Sequence, residues 1–184
     1  MWKLILYIFP HLFIMVLSQG GFNAQGEGVY STITIDKCGT EIQDPIMTFE
    51  VERHKINHTH DVFNAKIGAT MDIDDSFGLF IEVCKLVDGG CKHYSNIVDG
   101  MEKLLNKHAK KNLENAFRCA GLDQKEFPIP KGNHEVKDFV MDYCEVPTYA
   151  PFGTFEAEAY VIKDEQRVGC VKAVVEFKED DLCS

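Results

Sequence analysis

The residues equipped for chemistry fall into three groups: a run of acids, a cluster of histidines and a set of cysteines. In "MDIDDSFG", Asp72, Asp74 and Ser76 have the alternate spacing of a calcium-binding loop. The pattern then fails twice. Phe77 stands where the sharp turn needs Gly, and Val83 stands where a bidentate Glu would close the coordination shell. These residues read as a solvated turn between two strands. His54, His58 and His60 offer imidazoles for a metal. They surround Asn57-His58-Thr59, an N-glycosylation sequon, and a glycan on Asn57 would crowd such a site. No metal and no cofactor are expected. Nor does the chain contain a Gly-x-Ser-x-Gly elbow, a phosphate loop or a His-Glu-x-x-His helix, so no enzymatic activity is expected.

The cysteines carry the stronger signal. Cys38, Cys84, Cys91, Cys119, Cys144, Cys170 and Cys183 form no Cys-x-x-Cys pair, which argues against a zinc knuckle or a redox motif. Their compartment follows from the first residues. Trp2 and Lys3 precede the apolar run "LILYIFPHLFIMVL", and Ser18-Gln19-Gly20 supplies small residues for cleavage. Residues 1–20 therefore read as a secretory signal peptide, too short and too interrupted by Pro10 and His11 to span a bilayer. The mature chain is expected to begin near Gly21 and to be soluble and disulfide-bonded. Seven is odd, and Cys183, in the acidic tail "KEDDLCS", is the natural unpaired thiol.

Charge excludes one class of partner. The whole chain carries a formal charge of -10, and losing Lys3 with the signal takes it to about -11. The one basic clump, Lys107, His108, Lys110 and Lys111, lies on an expected helix and reads as a solvated face. No nucleic-acid partner is expected.

The elements that must position these residues are mostly strands. "GVYSTITID", "IMTFEVERH" and "DVFNAKIGATMDI" alternate with period two, with Met47, Phe49 and Val51 on one face and Phe63, Ala65, Ile67, Ala69 and Met71 on another. "GLFIEVCKLVDGGCKHY" reads as a hairpin around Asp88-Gly89. "EVKDFVMDY", "TFEAEAYVIK" and "RVGCVKAVVEFK" alternate again, with a turn at Asp164-Glu165-Gln166. Between Ser95 and Phe117 the apolar residues recur at three and four, which predicts one helix with Ser95 as N-cap and an end or break near Lys111. Pro128 and Pro130 exclude a central strand from the turn-rich stretch before residue 134. The reading is one mostly β domain over residues 21–184: an antiparallel sandwich or cup of seven or eight strands with one inserted helix.

Three stretches together carry a resemblance. "ITIDKCGTEIQDPIMTFEVE" places a Cys and a short acidic loop between two strands. "FPIPKGNHEVKDFVMDYCEVPTYAPFGTFEAEAYV" has a Pro-rich turn, a Lys-Gly corner and a Pro-aromatic loop. "EQRVGCVKAVVEFKE" closes with Arg, a Gly-Cys pair and Lys. Over residues 33–179 this resembles the ganglioside-activator proteins of lysosomes, within the broader group of lipid-recognition (ML) domain proteins; insect chemosensory proteins of similar pattern belong nearby. The resemblance implies a β-cup with an apolar lipid cavity, and a bond between the first-loop cysteine and the last-strand cysteine, here Cys38 and Cys170. It departs at Phe127-Pro128-Ile129-Pro130, where the family has cysteines and this chain has none. Cys84 and Cys91 flank the hairpin, where a bond would need a bulge or a longer loop. Cys119 with Cys144 is the pair that remains.

The function implied is that of a secreted or lysosomal protein that holds acyl chains in an apolar cavity and carries or presents the lipid. Its partners would be a lipid or other hydrophobic ligand, transiently a membrane surface, and a hydrolase or receptor. The loop "EVPTYAPFG" matches the family's apolar membrane rim, carried over here to Val146, Tyr149, Pro151 and Phe152. The alternative is an extracellular chemosensory or signalling binder of a hydrophobic small molecule.

Overall fold

The computed structural model describes residues 24–55, 61–123 and 126–183. The leader segment, the sequon at Asn57, and His58 and His60 lie outside the described residues. The chain is mostly β, with ten antiparallel strands and two helices among those residues. The strands are β1 (Gln25–Glu27), β2 (Val29–Asp36), β3 (Met47–Lys55), β4 (Asp61–Ala69), β5 (Gly78–Val87), β6 (Gly90–Gly100), β7 (Gly132–Val140), β8 (Tyr149–Pro151), β9 (Gly153–Lys163) and β10 (Gln166–Lys178). Helices α1 (Met101–His108) and α2 (Lys110–Cys119) lie between β6 and β7. One sheet has the order β2-β10-β9-β5-β6, a second β3-β4-β7, and β1 pairs with β8 in a short ribbon. This is the antiparallel sandwich or cup that the alternating sequence predicts.

The two larger sheets meet at one end. Met47 and Ala69 of the three-stranded sheet share a buried cluster with Leu79, Val161 and Val168 of the five-stranded one, together with Ile73, Phe77, Met101, Phe117 and Ile129. Gly169 explains half of the Gly-Cys pair in β10: a Cβ there would stand 2.7 Å from the Met47 carbonyl oxygen, so only Gly lets β3 lie against β10. Cys170 explains the other half, because it is bonded to Cys38 across 132 residues of chain. The loop after β4 is held by a short bridge between Ile73 and Ile129, and Asp72 accepts a hydrogen bond from the Lys131 amide at 2.7 Å. Asp74 accepts from the Ser76 amide at 3.0 Å, a turn stabilised by its own side chain.

The helical reading needs correction. Ser95 is no N-cap: it lies inside β6, paired with Val83, and the strand runs on to Gly100. Ile97, within the stretch expected to be helical, is likewise a strand residue. Helix α1 begins only at Met101, where the Asp99 carboxylate accepts from the Gly100 amide and from Lys103 Nζ, both at 2.9 Å. The expected break near Lys111 falls at Ala109, whose φ of -155° is extended, and it separates two helices. The Glu145 carboxylate accepts from the amides of Lys111 and Asn112 and so caps α2 at its first turn.

The cysteines need one correction. Cys84 and Cys91 are bonded, with Cα atoms 5.5 Å apart, and a register shift at Val83/Cys84 supplies the bulge their pairing needs. Cys144 bonds Cys183, not Cys119, and Cys119 is the free thiol. The Cys183 tail returns beside the short turn at Tyr143–Glu145, whereas Cys119 sits at the end of α2 with its thiol toward Asn115. No described helix is long and apolar enough to cross a membrane.

Candidate functional site: the inward face of the five-stranded sheet

Register fixes which residues of the larger sheet share a face. Leu79 of β5 is opposite Val161 of β9, and both belong to the buried cluster, so their face is the inward one. Directly opposite residues project to the same side, and alternate residues follow. The inward face is therefore Leu79, Ile81, Val83 and Lys85 of β5, with Val161, Ala159, Ala157 and Phe155 of β9. In β10 it continues through Gly169, Val171, Ala173, Val175 and Phe177. Apart from Lys85, all of these are apolar or Gly.

Burial along that face is uneven. At one end Leu79 and Val161 are packed, with Val161 only 2% exposed. At the other end Phe155 is 4% exposed and Phe177 fully buried. Between them Ile81, Val83, Ala157, Ala159, Val171, Ala173 and Val175 are only half-buried. A filled sandwich buries the middle of its inward face most deeply, because that is where two sheets interlock. Here the middle is the least covered part, and three of its residues are alanines.

The far end is aromatic. Tyr30 lies 4.6 Å from Phe177 between ring centroids, Phe152 stacks on Phe177 at 5.7 Å, and Tyr94 meets Phe155 edge-on at 5.4 Å. Burial, with the nearby Tyr94, pushes the Tyr30 hydroxyl above its ordinary pKa. This end is not sealed, since Tyr94 is 44% exposed. Lys85 stands here on the inward face, its Nζ 5.7 Å from the Phe155 ring and donating to the Phe152 carbonyl at 2.8 Å.

A polar seam runs beside the aromatic end. Thr32 of β2, opposite Val175, is buried with Asp61 and Tyr143. The Tyr143 hydroxyl lies 2.7 Å from Thr32 Oγ1 and 3.1 Å from Asp61 Oδ2, and accepts from the Thr32 amide at 3.2 Å. Arg53 adds its guanidinium, 3.4 Å from Asp61 Oδ2 and bonded to the Thr32 carbonyl. Burial raises the Tyr143 pKa, so its hydroxyl stays protonated. The seam joins β2, β3, β4 and the turn after β7.

The residues expected to form a membrane rim are placed differently from an exposed apolar loop. Tyr149 and Pro151 lie in β8, paired with β1, and of the four only Tyr149 is exposed, at 61%. Phe152 is turned in against Phe177, and Val146 is half-buried. His54 is exposed on β3, near Glu52. Among the described residues, Cys84, Cys91 and Glu156 have the proximity of a metal site, but both sulfurs are spent in a disulfide. A separate open groove of about 890 Å³ reaches Phe49 and Ile67 past Lys37, Lys66, Glu41, Glu50 and Glu135, a rim of mixed sign. No protein-family model matches the chain, and no curated protein matches it.

Sequence reading missed the inward face as a site. The signal was present: the small residues of "TFEAEAYV" alternate with acids, which marks a face with room above it rather than one packed with Leu and Ile.

Proposed function

We propose that this chain is a lipid-binding carrier that holds an apolar ligand between its sheets, in the manner implied by its resemblance to ganglioside-activator proteins, and that it acts in a secreted or lysosomal setting. The observation that supports the reading most is the burial profile of the inward face, packed at the helical end, buried against aromatic rings but not sealed at the other, and half-covered in the middle. A ligand lying there would trade water for Ile81, Val83, Val171 and Val175, gaining about 0.8 kcal/mol for each CH₂ buried. Ordering costs reduce that gain, yet a long acyl chain retains enough to leave a membrane. The protein carries the lipid or presents it to a hydrolase or receptor, and none of its own residues is assigned covalent chemistry.

The test is native mass spectrometry of the protein secreted from eukaryotic cells, followed by organic extraction. A co-purifying lipid is the expected result. A clean unliganded mass that does not change after incubation with lipid vesicles would sink the reading.

A further inference from the structure

We infer that the ligand is a long-chain alcohol, and that Asp61 in the polar seam receives its hydroxyl; this rests on the carrier reading above. Asp61 is only 6% exposed, and among the described residues its Oδ1 has no hydrogen-bond partner. The neighbours of Asp61 serve the other oxygen. The Tyr143 hydroxyl and the Arg53 guanidinium both lie at Oδ2, at 3.1 and 3.4 Å. A buried carboxylate oxygen without a donor is costly, and a group that donates to it away from water makes a stronger bond than it would in water.

Register puts this side chain between the sheets. β3 and β4 pair without a shift, from Met47 with Ala69 to Lys55 with Asp61. Alternate residues share a side, so Asp61 projects with Ala69, and Arg53 with Met47. Met47 and Ala69 belong to the buried cluster, which makes this the side that faces the larger sheet. From the larger sheet Thr32 projects inward, opposite Val175, which is itself opposite Phe155. The seam therefore stands at the row where the half-buried face meets its aromatic end.

Along β9, that row lies roughly 20 Å from Val161, at about 3.4 Å per residue. An alkyl chain laid along this length covers the half-buried middle, ends against the Leu79–Val161 cluster and brings its polar end to the seam. Asp61 then sets the chemistry of that end. Its Oδ1 only accepts, so the head must donate: a hydroxyl can, whereas an ether or ester oxygen cannot.

The full disulfide-bonded chain is stripped of lipid and titrated with hexadecanol and with its methyl ether, which share a chain, though only the first can donate. Hexadecanol is expected to bind about tenfold tighter, the scale of one hydrogen bond to a charged group. Asp61→Ala should remove that preference and leave the affinity for the ether unchanged. Tyr143 and Arg53 keep their bonds to Thr32 in this variant, and far-ultraviolet circular dichroism verifies that it is folded. A second readout needs only the native fold: the carbon-13 signal of the Asp61 carboxyl, assigned by its loss in Asp61→Asn, should shift with hexadecanol and not with the ether. Equal binding of the two probes, a preference that survives Asp61→Ala, or a carboxyl signal that hexadecanol leaves in place overturns this inference alone. If neither probe binds, the carrier reading fails and the inference fails with it.

Discussion

The two ends of the molecule and its middle are built on different rules. At the helical end, Ile73 and Phe77 are almost fully buried, and strands, both helices and the Pro-rich turn converge on them. In the middle of the five-stranded sheet, inward residues of the same apolar kind stay half-buried. The first region is a core in the ordinary sense, where shape complementarity sets stability. The second, on the proposed reading, is the wall along which a ligand lies. A fold with so uneven a core depends on its ties, and the Cys38–Cys170 bond fastens the loop after β2 to β10.

The largest effect that would sharpen this contrast comes from the disulfides. Replacing Cys38 and Cys170 by Ser opens a loop of 132 residues and should cost about 5 kcal/mol in the chain-entropy model. Removing Cys84–Cys91, which spans 7 residues at the hairpin tip, should cost about 2 kcal/mol. Urea unfolding of the two double variants measures both. Equal losses would mean that the long tie is not what holds the sheets together.

Substitutions in the two regions follow. Phe77→Ala at the packed end should cost about 3–5 kcal/mol, as a large cavity does. Ala159→Leu in the middle adds volume, and in a filled core it would cost about 1–3 kcal/mol. Over an open wall it should cost less than about 1 kcal/mol and weaken binding of an apolar ligand. Thermal unfolding with and without palmitate separates the cases. A severe loss of stability in Ala159→Leu would break the comparison, because it would show that the middle is packed.

Much of the fold was legible because strands announce themselves by alternation. Met47, Phe49 and Val51 fall on one face as their period predicts, and the Asp88-Gly89 and Asp164-Glu165 turns fall where turn residues interrupt it. What failed was decided by distant partners. Residues 95–100 have a spacing compatible with a helix, but pairing with β5 makes them strand. The break near Lys111 was legible and falls at Ala109, but the cap that Glu145 places on α2 from more than thirty residues on was not. The Cys144–Cys183 pairing depends on the path of the tail, and elimination among seven cysteines had no access to it. The inward face was harder still. Its residue types were visible, but the degree of cover over them is a property of how far apart two sheets stand.

The polar seam fastens β2, β3, β4 and the turn after β7 beside the half-buried middle. Tyr143→Phe removes the hydroxyl that serves both Thr32 and Asp61, leaving buried polar atoms short of a partner. The expected loss is about 1–2 kcal/mol. The same variant tests whether the seam holds the sheets apart. If it does, ligand affinity should fall along with stability; if affinity is unchanged, the seam only fastens β2 to β4.

The smallest effect belongs to the start of α1, and it tests whether the packed end responds to acid. Hydrogen bonds from Lys103 and the Gly100 amide hold the Asp99 carboxyl below its ordinary pKa, and a hydrogen bond from Ser76 does the same for Asp74. A carboxyl lowered in the folded state stabilises it at any pH above the unfolded value, and this contribution fades as pH falls through the folded one. The loss therefore lies in the strongly acidic range, below about pH 4. Both groups are at the surface, so the change is slight. Asp99→Asn should flatten the acid limb of a melting-temperature profile and leave neutral stability nearly unaltered. A fall in melting temperature confined to about pH 5–6 would point to histidines instead.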